Sequence, residues 1–178
     1  ATKLLESDAT AAETTDAQEL KSFDSDGFTL GTGTKVNANG GTYASWNWKA
    51  GTTSGIATNG STVITPSAYS FNQTSGFSVV KYTGNGNTTT KVAHGLGSVP
   101  KMITALQLDN TGAASGGSDN FYDTTPDTVN FTLGNHTSVN ANGATYIAYV
   151  FAEKKGFSRF GAYTGTGSAD GAYVYTGF

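Results

Sequence analysis

The feature that most constrains the fold is a string that the chain contains twice. VNANGGTYASWNW runs from Val36 to Trp48, and VNANGATYIAYVF runs from Val139 to Phe151. An offset of about 103 residues aligns residues 5–50 with residues 108–152 almost without gaps. Self-similarity over such a length indicates one structural unit built twice, so the structure of one copy is expected in the other.

A second pair of similar strings sets the boundaries of the repeat. GFSVVKYTGNG at 76–86 resembles GFSRFGAYTGTG at 156–167, at an offset of only about 80 residues. We therefore predict the C-terminal part of a first repeat unit at 1–50, a linker or insertion at 51–75, a complete second unit at 76–155 and the start of a third at 156–178. These segments pack as one or two compact β-domains. Either the chain is a segment of a longer repeat protein, or the physical domain is permuted relative to the sequence repeat, so that each half completes its neighbour.

Composition narrows the fold class to β-sheet. The chain has 178 residues, 24 of them glycine, with 37% hydrophobic and 12% aromatic residues. Glycine and β-branched threonine lower helix stability and suit turns and strands, and this apolar content is too high for a disordered linker. We predict an all-β protein, an antiparallel and jelly-roll-like β-sandwich built from the internal repeat.

Charge and cysteine content argue against several partners. Charged residues make up 13% of the chain and the net charge is -3, so no basic surface favours nucleic acid. The chain has no cysteine, which excludes disulfides and thiolate metal sites. No apolar run approaches the roughly 20 residues needed to cross a bilayer, and no signal peptide pattern opens the sequence. We expect no membrane insertion.

Alternating residues predict a strand in each copy of the repeated string. On one face lie apolar residues, which we predict to be core: Ala44, Trp46 and Trp48 in the first copy, and Ile147, Tyr149 and Phe151 in the second. Each strand follows an Asn-Gly pair typical of a type I′ hairpin turn. FTLG at 28–31 is therefore expected to pair antiparallel with the strand at 42–48. The segment before it, 4–21, is predicted to be mostly loop with a short helical turn, because its aligned partner contains glycines.

His94 stands in the most distinctive string, VAHGLGSVPKMI at 92–103. A catalytic histidine needs a nucleophile or an orienting carboxylate, and a metal site needs further ligands. The sequence signals neither. We interpret the string as a strand end that turns on Gly95 and Gly97 and starts a new strand at Pro100.

Two further motifs have a chemical and a structural interpretation. DSDG, from Asp24 to Gly27, resembles the start of a calcium loop, but its counterpart, DTVN at 127–130, keeps only the first carboxylate. An ordinary acidic turn is favoured. Trp46 and Trp48 could form a sugar-stacking platform, but Tyr149 and Phe151 replace them in the second copy, which favours packing in the core.

No motif indicates an enzyme. The sequence has no recognisable pair of glycosidase carboxylates and no G-x-S-x-G elbow, and its glycine-rich strings GTGTK and YTGNG are turns and not phosphate loops. We predict no catalytic residues, no metal ligands and no cofactor. The residues do not identify a ligand-binding site.

Taken together, SFDSDGFTLGTGTKVNANGGTYASWNWKAG, GFSVVKYTGNG, VAHGLGSVPKMI, NGATYIAYVFAE and GFSRFGAYTGTGSADGAYVYTGF resemble a repeated domain of large structural proteins of tailed bacteriophages, especially marine ones. The resemblance covers nearly the whole chain. It implies a virion structural protein, such as a tail fibre, appendage or decoration component, that acts by assembly and display outside the cell.

The partners implied are other virion proteins and copies of the chain itself, with host surface glycans as a further candidate. The rival interpretation is a carbohydrate-recognition or host-surface adhesion module. A depolymerising enzyme, the third class, predicts a cleft with convergent carboxylates.

Overall fold

The structure, a computed structural model, describes residues 3–4, 14–107, 118–121, 124–167, 171 and 173–177. Its strands, in chain order, are β1 (Lys3–Leu4), β2 (Thr14–Thr15), β3 (Leu20–Phe23), β4 (Phe28–Leu30), β5 (Ala68–Asn72), β6 (Phe77–Thr83), β7 (Thr90–Ala93), β8 (Met102–Gln107), β9 (Asn130–Leu133) and β10 (Thr145–Phe151). Single helical turns form α1 (Thr34–Asn37), α2 (Ser118–Phe121) and α3 (Thr137–Asn140). All strand ladders are antiparallel, so the all-β prediction is confirmed. Within the described ranges, no helix is long and apolar enough to span a membrane.

The chain divides into two compact units. Compact unit 1 comprises Ala1–Asn47 and Leu108–Ser115, and compact unit 2 comprises Trp48–Gln107 and Gly116–Phe178. In compact unit 1, β1 pairs with β2, and β3 pairs with β4 in a hairpin followed by α1. The repeat boundaries proposed from the sequence stay a prediction, although residues 51–75 hold β5, which pairs with β6.

Compact unit 2 is an antiparallel sandwich. Its larger sheet has the strand order β5-β6-β10-β8, and its smaller sheet pairs β7 with β9. The inner faces of both sheets form one core, whose fully buried members include Val80, Tyr82, Val92, Phe131, Leu133, Tyr146, Ala148 and Val150. Because β10 lies between β6 and β8, it is the strand around which this core is organised.

The predicted orientation of the repeated strand is wrong. In β10 the fully buried face carries Tyr146, Ala148 and Val150, whereas Ile147, Tyr149 and Phe151 are only partly buried. Both faces of β10 are apolar, so alternation alone could not decide which face is the core. The tyrosine can be buried because its hydroxyl has two hydrogen-bond partners there.

The predicted hairpin is also wrong. FTLG does not pair with the following segment: β4 pairs with β3, β9 pairs with β7, and residues 42–48 of the first copy form no strand. A helical turn, α1 or α3, redirects the chain before each Asn-Gly pair. Gly40 and Gly143 have φ of +75° and +80°, but the preceding asparagines keep negative φ, so the turns are type II and not type I′.

The N-terminal segment 4–21, predicted to be mostly loop with a short helical turn, lies in part outside the described residues. Its described residues, 4 and 14–21, include the end of β1, all of β2 and the start of β3, and they contain no helical turn. Of its aligned partner, residues 108–125, the structure describes α2, a single helical turn at Ser118–Phe121.

Candidate assembly surface

The second copy of the repeated string is held by a buried asparagine. We call residues 134–146 the second turn module and residues 31–43 the first turn module. The Asn140 side chain is fully buried, and its Nδ2 donates to the carbonyl oxygens of Gly134 and Asn87, both at 2.8 Å. Its Oδ1 accepts from the backbone N–H of Asn85 at 2.9 Å. One side chain therefore closes its own turn and binds residues 84–87, which we call the docking loop.

Two stacked tyrosines complete the second module. The Tyr146 hydroxyl donates to the carbonyl of Thr137 and accepts from the N–H of Ala141 at 2.8 Å, which caps α3. Tyr82 of β6 stacks on Tyr146 with centroids 5.4 Å apart, and its hydroxyl donates to Val139 O at 2.9 Å. Burial raises the pKa of both tyrosines, while the bond from Ala141 works in the opposite direction on Tyr146. Both hydroxyls therefore remain neutral donors at physiological pH.

The docking loop approaches the module closely through its glycines. Gly84 N donates to Ala144 O, Gly143 N donates to Gly84 O, and Gly86 N donates to Asn140 O, each at 2.9 Å. A Cβ on Gly84 would lie 2.4 Å from the carbonyl oxygen of Ala141. Only glycine permits this approach, because the atom in the way belongs to the backbone.

The first turn module has the same internal bonds. Asn37 Nδ2 donates to Gly31 O at 2.6 Å, and the Tyr43 hydroxyl accepts from Ala38 N at 2.9 Å and donates to Thr34 O at 3.0 Å. Each partner stands at the same offset in the other copy. The surroundings differ, because Asn37 is exposed and Tyr43 is 49% exposed, whereas Asn140 and Tyr146 are fully buried. The local fold is thus repeated, and the burial is not.

The His94 imidazole is fully buried and uses both ring nitrogens. Nδ1 accepts from Leu96 N at 3.1 Å, and Nε2 lies 3.2 Å from Asp127 O, to which it donates in the matching tautomer. Burial lowers the pKa of His94, and the neighbouring carbonyl and charge of Asp127 oppose this. Gly95 and Gly97 have φ of +78° and +65°, as a glycine-dependent turn requires. The arrangement is that of a structural histidine.

The acidic turns close their own loops. Asp24 accepts from the hydroxyls of Ser22 at 2.9 Å and Thr29 at 2.8 Å. At the equivalent position, Asp127 accepts from the N–H groups of Val129 and Asn130, both at 2.7 Å. Burial alone would raise the pKa of Asp127, but these bonds and the Lys91 charge hold it below its usual value. Across the described part of the chain, no three His, Asp or Glu residues gather as a metal would require.

The two tryptophans are not core residues. Trp46 is 76% exposed, and Trp48 is 49% exposed, so the prediction that both are mostly buried is wrong. Trp48 packs one side against Phe77 and Phe151, with centroids 5.9 and 5.5 Å away. It therefore covers the Phe151 end of the outer face of β10.

The family comparison agrees with the internal repeat. A family model described as a domain of unknown function, DUF7483, matches residues 1–105 and again residues 103–178. The chain belongs to this family. Neither curated proteins nor solved structures give a match. The starting points of the two DUF7483 matches differ by about the offset that relates the turn modules.

Sequence reasoning missed the residues that build the DUF7483 turn module. From the sequence alone, Asn37, Asn140, Tyr43 and Tyr146 receive no role. The available signal was identity: both residue types occur unchanged in each copy, while Trp46 and Trp48 become Tyr149 and Phe151. A side chain kept within an internal repeat indicates a specific contact, whereas an apolar face tolerates exchange.

Three open depressions lie on compact unit 2. One of about 220 Å³ lies near Phe121 and Phe131, one of about 320 Å³ lies between Glu153 and Arg159, and one of about 470 Å³ lies near Phe160. The three contain a single carboxylate, that of Glu153. The paired carboxylates that a glycosidase uses are not found in these three depressions.

Proposed function

We propose that this chain is a structural component of a bacteriophage virion, such as a tail fibre, appendage or decoration component, acting by assembly and display. The observation that carries the proposal is the internal repeat, whose strings resemble repeated domains of tailed-phage structural proteins. The duplicated turn module supports it, because a unit that folds alike in two settings is suited to an array. The partners are other virion proteins and further copies of the chain.

The sheet edges favour the same function. In the larger sheet β8 is an edge strand, and backbone groups at a sheet edge favour pairing with another chain. The outer edge of β5 is partly covered, because Thr52 pairs with Phe71. The low charge leaves a surface of threonine, serine, asparagine and glycine, which suits close contact between neighbouring subunits more than it suits electrostatic capture of nucleic acid. An extracellular particle is the setting that fits these features.

The proposal is tested on purified phage particles from the source culture. Mass spectrometry of gradient-purified particles should yield peptides from this chain, and antibodies raised against the chain should label one substructure in electron micrographs. Antibodies preabsorbed with the chain serve as the control. Peptides found only in the unassembled fraction would contradict the proposal.

A second candidate function is carbohydrate recognition or host-surface adhesion. Its support is the set of exposed aromatic rings, since Trp46 is 76%, Tyr163 72% and Tyr173 90% exposed, and flat aromatic faces bind sugar rings. Binding of the chain to a glycan array should then fall in Trp46→Ala while the unfolding midpoint stays unchanged. If no glycan or host cell retains the chain, this candidate is withdrawn.

A further inference from the structure

The chain contains a second copy of the segment that covers the second turn module. Residues 156–167, GFSRFGAYTGTG, correspond to β6 and the start of the docking loop, GFSVVKYTGNG at 76–86. Gly156 and Gly167 have φ of +74° and +66°, close to the +69° and +71° of Gly76 and Gly86. The backbone at both ends of the segment is therefore already set for the same turns.

This segment does not have the environment of its counterpart. Residues 159–167 form no strand, and Tyr163 is 72% exposed although its equivalent, Tyr82, is fully buried. Among the described residues, Tyr163, Gly165 and Gly167 have no hydrogen-bonding or ring partner. We call residues 156–167 the C-terminal segment.

The first turn module lacks the covering segment that the second turn module has. Its backbone and inner bonds match those of the second module, but Asn37 and Tyr43, whose equivalents are buried under β6 and the docking loop, face solvent. Residues 42–48, which correspond to β10, form no strand either. One chain thus contains a second set of the two surfaces that meet in the contact between β6, the docking loop and the second turn module.

We propose that the C-terminal segment of one chain binds the first turn module of a second copy, as β6 and the docking loop bind the second turn module. Tyr163 would stack on Tyr43 and donate to Val36 O, reproducing the Tyr82–Tyr146 pair. Gly167 N would donate to Asn37 O, as Gly86 N does to Asn140 O. We take the binding partner to be a second copy, because residues 159–167 and residues 42–48, the equivalents of the paired strands β6 and β10, form no strand within a single chain.

The glycine at the point of closest approach is preserved. Gly165 corresponds to Gly84, and in the assembled form it would lie against Ala38 O, the equivalent of Ala141 O. In the single chain a Cβ on Gly165 meets no atom within 4 Å, and its φ is not positive. A glycine that the single chain does not need at this position is required once the interface forms.

The contact would be heterologous, because different surfaces of the two copies meet, and heterologous contacts generate rings or filaments. This contact would provide the self-assembly that a virion structural protein needs, and in this respect it rests on the proposed function. The solution experiments on the pure chain below are independent of the particle analysis above, so either proposal can fail without the other.

The first test is self-association of the 178-residue chain. Sedimentation velocity over a wide concentration range should show association that Gly165→Ala weakens on the order of tenfold or more, because overpacking a close contact is costly. Asn37→Ala should weaken it as well. Gly171→Ala is the matched control, since a Cβ there meets no atom within 4 Å, and it should associate like the parent. A chain that stays monomeric at every concentration, or a Gly165→Ala variant that associates normally, overturns the proposal.

The second test identifies the contact by cross-linking, which the absence of native cysteine makes clean. Thr83 and Thr145 are directly opposite in the β6–β10 ladder, and their equivalents are Thr164 and Thr42. A mixture of Thr164→Cys and Thr42→Cys chains should form mainly the mixed disulfide dimer on oxidation. Asn47→Cys, near the other end of residues 42–48, replaces Thr42→Cys in the control mixture and should not cross-link to Thr164→Cys.

The double variant Thr42→Cys/Thr164→Cys distinguishes the remaining outcomes. Disulfide-linked oligomers confirm pairing between copies. A disulfide within one chain, formed at high dilution with no mixed dimer from the single variants, means that the segment closes on its own chain and overturns the proposal. Thr83→Cys/Thr145→Cys should form an intrachain disulfide in every case, which verifies the register.

Discussion

Replacing Asn140 by alanine should destabilise compact unit 2 far more than replacing its repeat counterpart, Asn37, destabilises the chain. Both side chains close the same turn, with Nδ2 donating to Gly134 O or Gly31 O. Only Asn140 also reaches the docking loop, through Asn85 N and Asn87 O. The chain therefore provides its own control for the value of the buried contacts.

The size of the effect follows from the bonds removed. Asn140→Ala removes three side-chain hydrogen bonds from a fully buried position, and each is worth about 0.5–1.5 kcal/mol or more where the partner is left unsatisfied. A loss of about 2–4 kcal/mol is expected. Asn37→Ala removes one bond at an exposed side chain, where water can take its place, so a loss of at most about 1 kcal/mol is expected.

Urea unfolding followed by tryptophan fluorescence measures this difference. In a Trp46→Phe background the remaining tryptophan, Trp48, packs against Phe77 and Phe151 and reports on compact unit 2. Dilute protein keeps self-association from contributing to the free energy of unfolding. The m-value should stay constant, so that midpoints can be compared directly.

The expectation is contradicted if Asn140→Ala lowers the free energy of unfolding by no more than about 0.5 kcal/mol, the usual limit for a single surface change. It is contradicted as well if Asn37→Ala costs as much as Asn140→Ala in dilute solution. Either result would mean that the buried amide is not what holds the docking loop on the second turn module.

Three further predictions concern single positions. Trp48→Ala should cost about 1–2 kcal/mol, since Trp48 is only half buried, while Trp46→Ala should stay within about 0.5 kcal/mol by urea unfolding. Because burial lowers the pKa of His94 in the folded chain, the unfolded chain takes up the proton first as the pH falls through about 6.5. As the pH falls from about 7.5 to about 5.5, the free energy of unfolding of the parent chain should therefore decrease by at most about 1.4 kcal/mol per pH unit. This slope should be smaller in His94→Gln. Gly95→Val should destabilise more than Gly97→Val or His94→Gln, because a Cβ on Gly95 would lie 2.6 Å from Phe71 Cδ1 at a φ of +78°. Thermal melts of the three variants with equal midpoints would contradict this order.

Local chemistry explains what the sequence could predict. Glycine placement and β-branched content indicated an all-β chain, and the internal match located the repeated module without any structure. The turn glycines Gly40, Gly95, Gly97 and Gly143 all have positive φ. These properties depend on residues that are close together along the chain, so they can be predicted from local sequence patterns.

Local sequence does not predict which strands pair or which face of a strand is buried. β10 pairs with β6 across a long stretch of chain, and no local pattern specifies such a partner. Its two faces are both apolar, and Trp48 from outside the sheet helps to cover one of them. The buried Asn140 was missed for a related reason, because burial of an amide is tolerated only where the tertiary fold brings donors and acceptors to it.

The two turn modules separate what this sequence encodes locally from what a neighbour adds. The bonds inside each module join residues no more than nine apart, and they form in both copies whether the module is buried or exposed. The side-chain bonds to the docking loop and β6 join residues 53 to 57 apart, and they occur around Asn140 and Tyr82. An exposed module whose backbone is already ordered has lost, before binding, most of the conformational entropy that binding would otherwise remove. The first turn module is therefore a preorganised surface, and the segment whose chemistry fits it best is the second YTG string that the same chain carries from Tyr163 to Gly165.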